Sequence, residues 1–287
     1  MRRRWQTELV DWWLAPFELD FQQRALIGGM LAALMASTVG TWLVLRGMSF
    51  FGDAFVHGVI PGVAAAVVLD VNPLLGAAVA AGVMVLAIEL VQRKTVLGED
   101  TSIGLLFVGM LALGVVIISR LDSYSGSLTS ILFGDALGVT WDDIVGQIVV
   151  LAIVVAVSTI LYRPLIALSL SRDKAELLGM RPGLAHAALL VLIALAVIGS
   201  YQSVGTLLVF GLLVGPPATA SLLSRTIARM MVIAAVVGVV SVWIGLTISY
   251  YWGTAASATM ALVPIVLFFI VLTVTNIRDS VRSPVSS

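Results

Sequence analysis

The sequence contains no cysteine, which excludes disulfide bonds, thiolate metal sites and cysteine nucleophiles. It has only two histidines, His57 and His186, so imidazole chemistry has few places to occur. The G-x-x-x-x-G-K-[ST] phosphate loop is missing, so the chain does not hydrolyse ATP by a P-loop mechanism. Neither H-E-x-x-H nor G-x-S-x-G occurs, and familiar intramembrane hydrolases need such motifs. We therefore predict that the chain is not an enzyme.

Charged residues are also scarce. They make up 11% of the 287 residues, whereas soluble domains carry about 25%. Hydrophobic residues reach 60% and the mean hydropathy is +1.10, so we predict a protein of the lipid bilayer. The formal net charge is zero, which gives no sign of a nucleic-acid partner, and we expect none.

The apolar residues fall into runs that are long enough to cross a bilayer, for which an α-helix needs about 20 residues. Nine such runs lie near residues 25–45, 50–69, 73–92, 102–119, 144–162, 184–201, 205–223, 230–251 and 257–275. The 205–223 run contains Gly211, Gly215, Pro216 and Pro217, so we predict that it is broken and only partly spans. The predicted fold is all-α, a polytopic transmembrane helix bundle of eight to nine spans.

We divide the chain into three segments. Residues 1–23 mix tryptophans with acids and form a predicted interfacial N-terminal segment, although a disordered tail is an equal alternative. Residues 24–276 form the transmembrane domain, and residues 277–287 form a polar tail. With nine spans, most cations between spans lie on one side, which the positive-inside rule makes cytoplasmic together with the C-terminus. The side of the N-terminus stays open, and the predicted location is the bacterial plasma membrane.

Asp53 and His57 lie one helical turn apart within the second apolar run. Positions i and i+4 share one helix face, so a carboxylate and an imidazole converge on one spot. His57 lies roughly 14 Å into a hydrocarbon core about 30 Å thick. Ionisable groups at that depth are costly and usually functional, and both groups can bind Zn²⁺ or Mn²⁺. We predict a metal path here, with a structural ion pair as the alternative.

Two ligands are too few for a complete site, since Zn²⁺ takes four, but a dimer would supply two copies of the pair. Pro61, one turn after His57, would disturb the helix and free backbone carbonyls for a cavity. Broken spans often line transport pathways, which makes Pro61, Gly215, Pro216 and Pro217 candidate lining residues. Simple kinking at Gly215–Pro217 is the alternative.

A short polar segment lies between the fifth and sixth apolar runs. Ser171 can cap a helix and Gly179 can end it, which predicts a cytoplasmic helix at about 172–182. Ala175, Leu178 and Gly179 could present a small apolar knob to a partner. His186 follows this segment, and we interpret it as a residue of the membrane interface.

A series of short motifs occurs in a recognisable order. These motifs are Leu45–Ser49, Gly52–Ala54 with His57, Pro61–Gly62, Glu99–Gly104, Ile117–Arg120, Leu132–Gly134, Leu137–Val139, Ala175–Gly179, Val204–Val209 and Pro217–Ala220 with Leu222–Leu223. Each motif alone is weak. In this order, over about residues 20–275, the sequence resembles the membrane permease subunit of zinc- and manganese-type metal-ion ABC importers.

The resemblance implies a homodimeric permease with two cytoplasmic ATPase subunits and a metal-loaded solute receptor on the outer side. It implies that Asp53 and His57 coordinate the passing ion, and that no cofactor is permanently bound because Zn²⁺ or Mn²⁺ is the cargo. It also implies that 172–182 is a coupling helix that meets the ATPase. The residues assigned to this contact are Asp173, Lys174, Ala175, Glu176, Leu178 and Gly179. An ion-coupled secondary metal transporter is the alternative.

Overall fold

A computed structural model of the protein describes residues 12–95, 99–119, 136–170 and 182–282, together with Glu176. Within these ranges the chain is helical and contains no β-strand. In the described ranges, a short 3-10 turn at Ala15–Glu18 is followed by ten helices with defined bounds. They are α1 (Asp20–Leu45), α2 (Ser49–Gly58), α3 (Ile60–Val68), α4 (Pro73–Lys94), α5 (Glu99–Ile118), α6 (Trp141–Ile160), α7 (Tyr162–Leu170), α8 (Pro182–Leu223), α9 (Ile227–Trp252) and α10 (Ala256–Arg282).

Eight helical segments of the described chain are long and apolar enough to cross a membrane. One of them, Ser49–Val68, consists of α2 and α3 together, and a shorter apolar helix occupies Leu208–Leu223. The prediction of an all-α bundle with eight to nine spans is therefore confirmed. Helix α10 continues through Arg282, beyond residue 277, where the sequence suggests a polar tail.

The predicted break in the seventh run lies at a different residue. Pro216 and Pro217 lie inside α8, and the helix is interrupted at Gly205 instead, where φ is 72° and ψ is 167°. This backbone conformation is essentially restricted to glycine, so Gly205 can change the chain direction at little cost. The proline pair is accommodated by packing. The carbonyl of Leu213, which would accept the N–H that Pro217 lacks, lies directly against Gly40 of α1.

Helices approach closely where glycines meet. Gly62 of α3 and Gly76 of α4 face one another, and a Cβ atom on either would collide with the backbone carbonyl of the other. Helix α8 lies at the centre of the bundle and packs against α1, α9 and α10. Packing through small residues is typical of membrane helices, since contact between lipid-like side chains gives no hydrophobic gain.

The connection between α1 and α2 is short and rigid. Gly47 has a φ of 67° and donates its N–H to the Val44 carbonyl at 3.1 Å, while Met48 donates to the Leu43 carbonyl at 3.0 Å. These two bonds form a Schellman motif, which satisfies the last carbonyls of α1. The position of α2 is therefore fixed relative to the end of α1.

Part of the N-terminal segment packs on α9. Trp12 stacks on Tyr251 with ring centroids 4.5 Å apart, and the Tyr251 hydroxyl donates to the Trp12 carbonyl at 2.8 Å. The ring centroids of Trp13 and Trp243 lie 5.3 Å apart. Residues 1–11 lie outside the described chain, so the interfacial character of the whole segment stays a prediction.

Candidate functional site

Helix α2 brings Asp53 and His57 into direct contact. The Nδ1 atom of His57 lies 3.2 Å from Asp53 Oδ1 and 3.1 Å from the Asp53 carbonyl oxygen. Because Nδ1 faces Asp53, the other ring nitrogen, Nε2, lies on the opposite edge of the imidazole. A histidine that binds a metal commonly donates its second nitrogen to a carboxylate or carbonyl, which fixes the ring. The pair therefore has the geometry of an oriented imidazole ligand beside a carboxylate.

After Ser49, the first residue of α2, the accessible residues of this helix form a single strip, and Asp53 and His57 lie on it. Phe50 is 48% exposed as a residue, Asp53 and His57 expose 27% and 26% of their side chains, and the other residues from Phe51 to Gly58 are buried. Contact of an ionisable pair with hydrocarbon is costly. This strip therefore requires either a water-filled path or another protein surface against it.

The buried sides of α2 are held by neighbouring helices through glycines. A Cβ atom added to Gly52 would lie 2.6 Å from Leu213 Cδ2 of α8, and one added to Gly58 would collide with the thioether of Met84 in α4. On the accessible side, Phe107 of α5 meets the His57 ring edge-on at 6.0 Å. These contacts set the direction in which Asp53 and His57 point.

The span is interrupted immediately after the pair. Helix α2 ends at Gly58, Val59 separates the two helices, and Pro61 lies in the first turn of α3. Proline has no N–H to give to the His57 carbonyl four residues earlier, so the helical ladder is broken there. The predicted disturbance of the helix at Pro61 is present in the structure.

The candidate lining residues are buried between helices. Pro61, Gly215, Pro216 and Pro217 all have low exposure. Gly215 faces Pro264 of α10, and Pro217 faces Gly40 of α1. The structure therefore shows them as packing residues, and their role in lining a pathway stays a prediction.

A single chain supplies few metal ligands. Among the residues that the structure describes, no cluster of three or more histidine, aspartate or glutamate side chains occurs. Of the predicted coupling residues, Glu176 is helical and exposed. Asp173, Lys174, Ala175, Leu178 and Gly179 lie outside the described residues, as does most of the 172–182 segment.

His186 lies in the first turn of the candidate span Gly183–Ser200, and its position at the membrane interface stays a prediction. It is only 6% exposed, and its Nδ1 atom lies 2.8 Å from Arg46 Nη1, from which it accepts a hydrogen bond. The start of α8 packs against the end of α1, which encloses the imidazole. The two residues are 140 positions apart, so no local sequence pattern reveals their contact.

Comparison with known families decides the class. The model of the ABC 3 transport family matches residues 18–275 of this chain. The chain belongs to the ABC 3 transport family. The resemblance to the permease subunits of metal-ion ABC importers is thereby confirmed. As a permease of this family, the chain is a multi-pass protein of the bacterial plasma membrane, and ATP hydrolysis resides on a separate subunit.

The sequences of individual relatives align with this chain over nearly their whole length. The chain is 36% identical over 253 residues to the manganese transport system membrane protein MntC of Listeria monocytogenes, covering 88% of this chain and 90% of the relative. It is 36% identical over 264 residues to the manganese import system permease protein ScaB of Streptococcus parasanguinis, covering 92% and 93%. Among solved structures, PsaBC from Streptococcus pneumoniae in complex with Fab matches with a TM-score of 0.81 and 31% identity, covering 92% of this chain and 95% of that chain.

Proposed function

We propose that this ABC 3 family permease imports Mn²⁺ into the cytoplasm, and that the ion passes the Asp53–His57 pair on its way. The observation that carries the proposal is the accessible strip of α2, on which a carboxylate and an oriented imidazole lie within a membrane span. The names of MntC and ScaB support manganese as the cargo. ATP hydrolysis on the partner subunits drives the transport.

The chemistry of the pair suits a transported ion. Carboxylate oxygen and imidazole nitrogen are both acceptable to Mn²⁺ and Zn²⁺. One oxygen and one nitrogen from each of two copies would give four ligands, and water can complete the shell of Mn²⁺. A transport site must bind strongly enough to admit the ion and weakly enough to release it. A site built from two incomplete halves meets both requirements.

A second copy of this chain is the proposed covering for the strip. Two copies that meet along α2 would remove Phe50, Asp53 and His57 from lipid and place their pairs opposite each other. The same arrangement leaves room for an ion between the two chains. The burial pattern supports this choice, because α2 has no other accessible face.

Cysteine cross-linking tests the second copy. The chain has no native cysteine, so Phe50→Cys introduces a single thiol on the strip. We expect mild oxidation to give a covalent dimer of the purified transporter. Val232→Cys is the matched control, because Val232 is 64% exposed near the start of α9. Equal cross-linking of both variants, or of neither, would contradict a dimer along α2.

The ATPase contact is proposed at 172–182. Glu176 is helical and exposed, as a residue that meets a partner must be. We propose that this segment lies in a groove of each ATPase subunit, and that a solute receptor delivers Mn²⁺ on the outer side. ATP binding would then move the segment and change the side from which the pair is accessible.

Uptake of radioactive Mn²⁺ by proteoliposomes tests the cargo and the energy source together. We expect accumulation only when the cognate ATPase and ATP are both present. Zn²⁺ binds nitrogen and oxygen ligands more tightly than Mn²⁺ does. We therefore expect Zn²⁺ to inhibit Mn²⁺ uptake when its concentration is lower than that of Mn²⁺. Permease alone serves as the control. Mn²⁺ uptake that is driven by an ion gradient without the ATPase would instead support a secondary transporter.

A further inference from the structure

The last turn of α1 is attached to two other parts of the protein by side chains four residues apart. The Trp42 indole N–H donates to Ser158 Oγ at 3.0 Å, and the Trp42 ring meets Tyr162 edge-on at 5.6 Å. Arg46 donates to His186 Nδ1 at 2.8 Å. Positions 42 and 46 share one face of α1. This face therefore carries two independent connections to distant residues.

Both connections reach helices that lie next to the proposed coupling segment in the chain. Ser158 lies in the last turn of α6 (Trp141–Ile160), and Tyr162 begins α7 (Tyr162–Leu170) two residues after α6 ends, so Trp42 contacts the junction of these two helices. Helix α7 ends at Leu170, shortly before the proposed 172–182 segment. His186 lies near the start of α8, the helix that follows this segment. The last turn of α1 thus contacts both helices that flank the proposed coupling segment, one through Trp42 and the other through Arg46.

The same turn is also joined rigidly to the helix that carries the metal pair. Three residues, Arg46 to Met48, separate α1 from α2, and the Schellman bonds of Gly47 and Met48 fix their path. Phe51 of α2 then donates its N–H to the Met48 carbonyl at 3.0 Å. A displacement of the last turn of α1 is therefore passed to α2 and to Asp53 and His57.

The Trp42–Ser158 bond is buried and the Arg46–His186 bond is partly buried, which makes both costly to break. Trp42 is 0% exposed, Ser158 3% and His186 6%. Breaking a buried hydrogen bond without a replacement leaves an unsatisfied polar group, which costs much more than exposed bonds do. A guanidinium can only donate, so His186 Nδ1 is the acceptor of this bond. The relay requires that these contacts persist while the helices that they join move.

We propose that Trp42 and Arg46 form a relay that transmits movement of α7 and of the start of α8, the two helices that flank the proposed 172–182 coupling segment, to α2 and so to the Asp53–His57 pair. The inference rests on the proposed function, since it needs that segment to meet the ATPase and that pair to bind the ion. Trp42, Arg46, Ser158 and His186 are positioning residues in this relay and do not touch the ion. Coupling between the ATPase and the metal pair then depends on four side chains outside both sites.

The number of Mn²⁺ ions imported per ATP hydrolysed tests the relay in the reconstituted complex of permease and ATPase. Arg46→Met and His186→Phe remove the Arg46–His186 bond. Ser158→Ala removes the acceptor of the Trp42 indole N–H. We expect each to lower this ratio about tenfold, within the usual range for coupling between sites. ATP hydrolysis and the affinity of the purified complex for Mn²⁺ should stay near wild type. His186→Gln should restore the ratio, because its amide oxygen can accept from Arg46.

Thr38→Ala is the matched control. The Thr38 hydroxyl donates to the Leu34 carbonyl within α1 at 2.8 Å and joins no other helix. The Thr38→Ala variant should therefore import as many Mn²⁺ ions per ATP as the wild type. An unchanged ratio in assembled His186→Phe and Ser158→Ala would overturn the relay. If Arg46→Met fails to assemble, Ser158→Ala decides, since it removes only one oxygen atom.

A separate variant distinguishes failure of the relay from failure of the proposed function. If Asp53→Asn blocks import while the relay variants behave as wild type, only the relay is wrong. If Asp53→Asn imports Mn²⁺ normally, the proposed site is wrong and the relay has no ion-binding pair to act on. Loss of assembly together with equal losses of ATP hydrolysis and import would indicate a purely structural role for Trp42 and Arg46.

Discussion

Asp53→Asn and His57→Phe are expected to abolish Mn²⁺ uptake while the transporter still assembles. Asparagine keeps the size of the side chain but removes the charge, and phenylalanine keeps a ring against Phe107 but removes both nitrogens. Loss of a partner outside the ligand shell already costs about 10–100-fold in metal affinity, so loss of a ligand should lower uptake at least about 100-fold. Initial rates in proteoliposomes with the ATPase present measure the effect.

Asp70→Asn is the control for this prediction. Asp70 is an exposed acid beyond the end of α3 with a φ of 54°, a conformation that asparagine tolerates well. Its uptake should match the wild type. Wild-type uptake in both Asp53→Asn and His57→Phe would show that the ion does not use this pair, and the structural ion pair would then be the better interpretation.

Gly76→Ala is expected to destabilise the folded permease, whereas Gly82→Ala on the same helix is not. A Cβ atom at position 76 would collide with the Gly62 carbonyl and lie 2.6 Å from the Ala66 Cβ atom. Overpacking of this kind costs about 1–3 kcal/mol, and backbone atoms cannot move aside as a flexible side chain can. Alanine is the better helix former by only about 0.5–1 kcal/mol, so the collision decides the sign.

Thermal unfolding of the detergent-purified protein measures this difference. At position 82 a Cβ atom meets nothing within 4 Å, so Gly82→Ala should unfold at or slightly above the wild-type temperature. Gly76→Ala should unfold at a clearly lower temperature and be recovered in smaller amounts. Equal unfolding temperatures for the two variants would show that α3 and α4 separate more easily than the structure implies.

The spans and the contact between Asp53 and His57 could be predicted because they depend on local rules. Hydrocarbon thickness sets the length of a span, so apolar runs identify the membrane helices without knowledge of their packing. The i, i+4 spacing brings Asp53 and His57 together on any helix. A proline breaks the hydrogen-bond ladder of a continuous helix but is tolerated in a first turn, so Pro61 favours the end of one helix at Gly58 and the start of the next at Ile60.

The remaining features depend on contacts between distant parts of the chain. Gly211, Gly215 and two prolines favour a break in the seventh run, yet the surrounding helices accommodate them and the break occurs at Gly205. The burial of His186 depends on Arg46, which belongs to another helix. The accessible strip on α2 also could not be foreseen, because hydrophobicity alone does not say which face of a buried helix its neighbours leave open.

The interruption at Val59 divides the second span into two parts with different attachments. Helix α3 is held against α4 by the facing glycines at 62 and 76, while α2 follows the end of α1, packs on α8 at Gly52 and meets α4 at its last residue, Gly58. A pivot at one residue would allow the ten residues of α2 to tilt and leave the rest of the span in place. Opening the proposed ion path towards one side of the membrane would then require reorientation of a single short helix rather than of a whole membrane-crossing segment.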